Sequence, residues 1–259
     1  MMNGEATGRT QNRIDPDGYD AAVLDMDGVV TRSARAHAAA WKRMFDEYLE
    51  KRSEEEGRDY EPFDAEDEYY RLVDGKPRYE GVRRFLEARG VSLPHGDPDD
   101  PPGRETVCGL GNLKNEYFLE HLKENGAEAY SSTVEFVHWL RERKVGVAVI
   151  SSSKNAKAVL EAAGVLDLFP VIIDGVYAVR HELEGKPEPD VFLAAAQKLG
   201  ADPGRTLIVE DAVAGVQAGR AGGFKLVIGV DRSGRNAELE RSGADFIVSD
   251  LSEIRSEHG

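Results

Sequence analysis

The sequence predicts an α/β protein: a doubly wound parallel sheet with a helical domain inserted after its first strand. Three observations carry this reading. Six short, nearly unbroken runs of Val, Ile and Leu recur along the chain, which is the pattern of strands buried on both faces. Helical patterns alternate with these runs, as βαβ units require. The one long interval without such a run, more than a hundred residues between the first and the second, is filled with helical patterns instead.

Taken in order, residues 1–17 are polar, carry glycine and lack periodicity, so they are expected to form a flexible leader. The first strand is "AAVLD" (21–25). The interval after it holds "SARAHAAAWKRMFDEYLEKR", "AEDEYYRLV", "RYEGVRRFLEAR" and "NLKNEYFLEHLKENG", all helical in pattern. The irregular piece "SLPHGDPDDPPGRETVCGLG" is rich in Pro, Asp and Gly and reads as a loop between these helices. The remaining strands are "VGVAVIS" (145–151), "VIID" (171–174), "TLIVE" (206–210), "KLVIGV" (225–230) and "DFIVS" (245–249), with helices such as "KNAKAVLEAAG" and "PDVFLAAAQKLG" between them. The expected division is a core of residues 18–33 and 127–251, a helical cap of 34–126, and a tail of 252–259.

Composition bounds the function. The 259 residues, 41% of them hydrophobic, suffice for a substantial core. A net charge of -15 disfavours a nucleic-acid backbone as partner. The single cysteine, Cys108, cannot form an internal disulfide. With no secretory signal pattern and no run of 18 apolar residues, the expectation is a cytoplasmic protein that does not enter a membrane. Nothing in the architecture requires a partner chain, so a monomer is expected.

In open α/β sheets ligands collect at the carboxyl ends of the strands. Asp25 and Asp27 follow the first strand, Ser151 to Ser153 the second, Glu210 and Asp211 the fourth, and Lys186 lies in "EGKPEPD" before the helix leading to the fourth. Taken singly, the serines could cap a helix, the acidic pair could sit at a helix N-terminus, and the lysine could be an exposed loop residue. Two carboxylates flanked by apolar residues are harder to explain, because ionised groups in that setting repel one another and lose hydration. Four such features converging on one crevice fit phosphoryl transfer through an aspartyl phosphate. One carboxylate attacks phosphorus, the second handles the substrate proton, and further carboxylates with a lysine hold a hard cation and the phosphoryl oxygens.

"DMDGVV", "VISSSKN", "GKPEPD" and "VEDAVAGVQAG", in this order, resemble the haloacid dehalogenase superfamily, a Rossmann-like core with an inserted cap. Within it the resemblance is to the β-phosphoglucomutases. That resemblance implies interconversion of β-glucose 1-phosphate and glucose 6-phosphate through glucose 1,6-bisphosphate, with Mg²⁺ as cofactor and a sugar phosphate as the small-molecule partner. It implies Asp25 as nucleophile, Asp27 as general acid and base, and His37 as the residue that positions Asp27 or the cap. Mg²⁺ would be held by Asp25, the Asp27 carbonyl, Glu210 and Asp211. Ser151, Ser152 and Lys186 would grip the transferring phosphoryl group, while Gly75, Lys76, Arg78, Lys114, Ser153, Lys154 and Asn155 would meet the sugar and its other phosphate.

Related mutases often have a lysine where this chain has Asp74, an acidic residue in place of Arg32, and threonine for Ser33. The cap is also lengthened, around residues 93–111 and by residues 54–70. The alternatives are a phosphatase using the same aspartyl phosphate and a noncatalytic sugar-phosphate sensor. A dehalogenase would have no use for Asp27 or Mg²⁺.

Overall fold

The computed structural model describes residues 13–256 apart from 233 and 235. The chain is built on a six-stranded parallel sheet. Its strands are β1 (Ala21–Asp25), β2 (Gly146–Ile150), β3 (Val171–Ile173), β4 (Thr206–Glu210), β5 (Leu226–Val230) and β6 (Phe246–Val248), each within the apolar run that predicts it. In space the order is β3-β2-β1-β4-β5-β6, so the chain reverses its direction of winding at β1.

The continuous apolar runs are explained by the packing. Ala22 and Leu24 of β1 face one apolar cluster, together with Leu207 and Val209 of β4. Val23 and Ile208, on the opposite pleat, face the other. Helices α4 (Ser131–Glu142) and α5 (Ala156–Ala162) cover the first face. The second is covered by α6 (Asp190–Leu199), α7 (Val213–Ala221) and α8 (Asn236–Ser242). A strand with both faces covered has no polar side, hence no alternation.

Between β1 and β2 lie three long helices, α1 (Ala34–Glu56), α2 (Arg78–Ala88) and α3 (Val107–Asn125). They share an apolar cluster of their own. On α1 the buried Trp41, Met44, Phe45, Tyr48 and Leu49 recur at helical spacing and form its inward stripe. The two chain segments joining this layer to the sheet lie side by side: Arg32 N donates to Glu128 O (2.8 Å) and Tyr130 N to Val30 O (3.0 Å).

Three expectations need correction. Residues 1–12 of the expected leader lie outside the described residues, but 13–17 are ordered. Arg13–Ile14 pairs in parallel with Arg255–Ser256, and Ile14 is 2% exposed within the sheet's core. One isoleucine in a polar stretch has no period, and its partner segment lies at the far end of the chain. The loop read as ending at Gly111 ends at Thr106, whose hydroxyl accepts from Gly109 N (2.9 Å) and caps α3. The pattern "AEDEYYRLV" is helical as expected over residues 67–73, but its last five, Tyr69–Val73, wind as a wide π-helical turn. Among the described residues no helix is long and apolar enough to cross a membrane.

Because Ile14 is buried, Ile14→Ala should destabilise the protein by about 2–4 kcal/mol, read as a lower urea midpoint. An unchanged midpoint would mean that the segment is not docked.

Candidate active site

The sheet register decides which side chains meet. Leu24 pairs with Val209 and Asp25 with Ile150, so the ends of β1, β4 and β2 bring Asp25, Glu210 and Ser151 to one edge. Asp25 is 6% and Glu210 0% exposed. Lys186 reaches between them: its Nζ donates to Asp25 Oδ1 and, at 2.7 Å, to Glu210 Oε2. Burial alone would lower the Lys186 ammonium, but the two carboxylates outweigh it and hold its pKa above the usual lysine range. Two glycines make room for the acids. A Cβ on Gly28 would lie 1.9 Å from Asp211 Oδ2, and one on Gly215 would lie 2.1 Å from the Glu210 carboxyl carbon. Gly28 also has a φ of +85°, a left-handed conformation that favours glycine.

Asp25, Glu210 and Asp211 each offer a carboxylate oxygen, all within 4.8 Å of one another. Burial pushes the Asp25 carboxyl well up, reinforced by Glu210 and Asp27 and opposed by Lys186. Burial does the same to Asp211, reinforced by Asp74, Glu210 and Asp25. One ammonium therefore leaves excess negative charge among oxygen donors, which is the chemistry of a site for a hard divalent cation. The donor set fits a metal.

Asp27 lies just beyond the end of β1, next to a bridge with Thr31. Ser33 Oγ donates to Asp27 Oδ1, and Ser151 Oγ donates to Oδ2 at 3.3 Å. His37 Nε2 stands 3.5 Å from the same Oδ1. Lys114 Nζ, from α3, lies 2.7 Å from His37 Nδ1. An ammonium there donates to Nδ1, which places the ring proton on Nε2, facing Asp27. The imidazole stacks on Phe118 with ring centroids 4.0 Å apart, and burial, then Lys114, lower its pKa against the pull of Asp27. Burial also lowers Lys114, to about 7, with Asp27 opposing and Arg78 adding to the shift. Burial raises the Asp27 carboxyl, but His37, Ser33 and Lys114 outweigh it, and the net shift is downward.

These groups line a crevice of about 370 Å³ between the sheet edge and the helical layer. All the residues named from the sequence as candidates border it, including Gly75, Lys76, Arg78, Ser153 and Lys154. The Ser152 hydroxyl donates to Gly75 O (2.8 Å) and joins the sheet side to the helical side. Asn155 makes a similar link, donating through Nδ2 to Asn115 Oδ1 (2.7 Å). Ser33, Asn115, Trp41 and Tyr79 were not among the candidates. Asn115 adjoins Lys114 in the quoted "GNLKN" and could have been flagged. Trp41 and Phe118 flank the Lys114 ammonium at 4.9 and 5.1 Å from their ring centroids, a contact with no signature in the sequence.

The chain is 43% identical over 242 residues, 92% of each chain, to the β-phosphoglucomutase of Mycobacterium bovis. It is 26% identical, again over 92% of each chain, to that of Bacillus subtilis. Its fold is similar to the crystal structure of a Clostridium difficile β-phosphoglucomutase, with a TM-score of 0.70 at 23% identity, covering 92% of this chain and 93% of that one. The family model described as haloacid dehalogenase-like hydrolase matches residues 19–223, a span that includes Asp25, Lys186 and Glu210, and the chain belongs to that family.

Proposed function

We propose that the chain is a Mg²⁺-dependent β-phosphoglucomutase, converting β-D-glucose 1-phosphate to glucose 6-phosphate through an aspartyl phosphate and glucose 1,6-bisphosphate. The observation that carries the reading is the distribution of cations around an enclosed crevice. Lys186 sits at the carboxylate end, while Lys76 and Arg78 come from the helical side and Lys154 from the sheet side. A substrate with a phosphate at each end matches that arrangement, and a 43% identical relative bears the same activity in its name.

In this reading Asp25 carries the phosphoryl group. The sugar 6-hydroxyl attacks the phosphorus of phosphorylated Asp25, the new P–O bond forms, and the bond to the Asp25 oxygen breaks. Asp27 takes the hydroxyl proton, which suits a carboxyl whose pKa is pulled down and whose resting form is the base. The bisphosphate then reverses its orientation. Asp25 attacks the phosphorus at position 1, and Asp27 returns its proton to the departing sugar oxygen. His37 and Ser33 hold Asp27 in place for both transfers. Lys186 and Ser151 hold the phosphoryl oxygens in flight. Mg²⁺, held by Asp25, Glu210, Asp211 and the Asp27 carbonyl, supplies countercharge to those oxygens when bound. Residues 34–126 act as the cap that closes the crevice, and water must be excluded while Asp25 is phosphorylated.

Incubation with Mg²⁺, β-glucose 1-phosphate and a trace of glucose 1,6-bisphosphate should yield glucose 6-phosphate with little free phosphate. Stoichiometric phosphate release without glucose 6-phosphate would show a phosphatase instead. Asp25→Asn should lower turnover by about 10⁴-fold or more, and substantial residual activity would move the nucleophile elsewhere. Arg78→Ala should reduce mutase turnover by about 30-fold, the worth of a charged hydrogen bond, and should impair hydrolysis of a small phosphate ester far less. Equal losses would count against a distal phosphate contact.

A further inference from the structure

We propose that Tyr79 is a positioning residue for the distal phosphate, and that the long cap loop of residues 92–106 serves to hold it. The inference rests on the mutase reading for the identity of the ligand.

Tyr79 borders the crevice at the start of α2, next to Arg78. Two cations from opposite sides of the crevice lie near its ring: Arg78 Cζ is 5.3 Å and Lys154 Nζ 5.7 Å from the centroid. One comes from the helical layer and the other from the turn after β2. Among the described residues neither is joined to a carboxylate by an ion pair. The ring lies within cation–π reach of both and so favours these positions on the two sides of the crevice. A dianion entering between them then completes a cradle that spans both sides.

The ring is itself held on three sides. It packs into the space left by Gly111 on α3, where a Cβ would lie 2.7 Å from Tyr79 Cδ1. Its hydroxyl donates to Asn112 Oδ1 (2.9 Å) and approaches Pro98 O (3.4 Å). Asn112 in turn donates through Nδ2 to Pro98 O (3.0 Å) and Asp100 O (2.9 Å), so one amide ties the phenol to the loop.

The loop is stiff because it is stapled from within. Asp100, 6% exposed, accepts from Thr106 Oγ1 (2.6 Å), Arg104 Nη1 (2.8 Å) and Asp97 N (3.1 Å). Pro98, at the tip of this structure, borders the crevice. The added cap length thus forms a wall that locks one aromatic ring, and the ring sets two cations.

The test uses the full chain carrying Asp25→Asn, which allows equilibrium binding of glucose 1,6-bisphosphate to be measured by calorimetry, with inorganic phosphate as the second probe. Adding Tyr79→Leu should weaken bisphosphate binding by about tenfold with little effect on inorganic phosphate held at the Lys186 end. Tyr79→Phe, which keeps the ring, should restore most of the affinity, and Asn112→Ala should fall between them. In the otherwise wild-type enzyme, Tyr79→Leu should raise KM for β-glucose 1-phosphate more than it lowers kcat. Unchanged bisphosphate affinity in Tyr79→Leu, or equal losses in Leu and Phe variants, overturns the proposal. Should Tyr79→Leu fail to fold, Asn112→Ala and Tyr79→Phe decide it: an Asn112→Ala affinity equal to the parent's also overturns the proposal. A wild-type enzyme that forms no glucose 6-phosphate, while bisphosphate affinity still depends on Tyr79, supports the cradle and removes the mutase reading.

Discussion

Lys186 sits between Asp25 and Glu210 in a nearly buried setting, and much of the architecture serves that contact. Two buried carboxylates cost several kcal/mol each in lost hydration unless they are compensated, and one ammonium compensates only one of them. Asp211 adds a third acid beside the pair. The sheet bears this cost because β1 and β4 are neighbours whose register delivers Asp25 and Glu210 side by side. The absent side chains of Gly28 and Gly215 leave the space the carboxylates fill. Excess negative charge in an oxygen cluster attracts a hard cation, and in the proposed function that cation would offset the repulsion between these acids and a phosphate dianion.

The helical layer answers a second constraint. An aspartyl phosphate is open to attack by water, so a mutase needs a cover that closes over it and also holds the sugar's second phosphate. Two hydrogen-bonded links cross from the sheet side to the helical side. Ser152 reaches Gly75 and Asn155 reaches Asn115, while within the helical layer Lys114 of α3 meets His37 of α1, which faces Asp27 on the sheet side. His37 thus joins the helical layer to Asp27, the proton-transfer group of the proposed mechanism. Lys114 is kept from solvent by Trp41 and Phe118, so it meets His37 and Asp27 with little screening.

Much of the site was legible because it lies at strand ends, and strand ends can be read from apolar runs. Asp25, Ser151 and Glu210 each follow such a run, and the doubly wound topology sends all three to one edge. Lys186 and Asp27 could be added by chemical need. Ile14 could not, because its burial depends on a segment some 240 residues away in the sequence. Nor could Ser33 or Tyr79, whose importance lies in what they touch rather than in a pattern.

What the sequence by itself determined is therefore the set of chemical groups and the edge on which they gather, since a parallel sheet with both faces buried allows its loops to project only at the strand ends. Only the tertiary structure decided how those groups are paired and charged. It set Lys186 between two acids, turned His37 toward Asp27, and made a ring seated against Gly111 the neighbour of two cations. Distances of a few ångströms between residues far apart in the chain govern pKa and hydrogen bonding, and no local pattern encodes them.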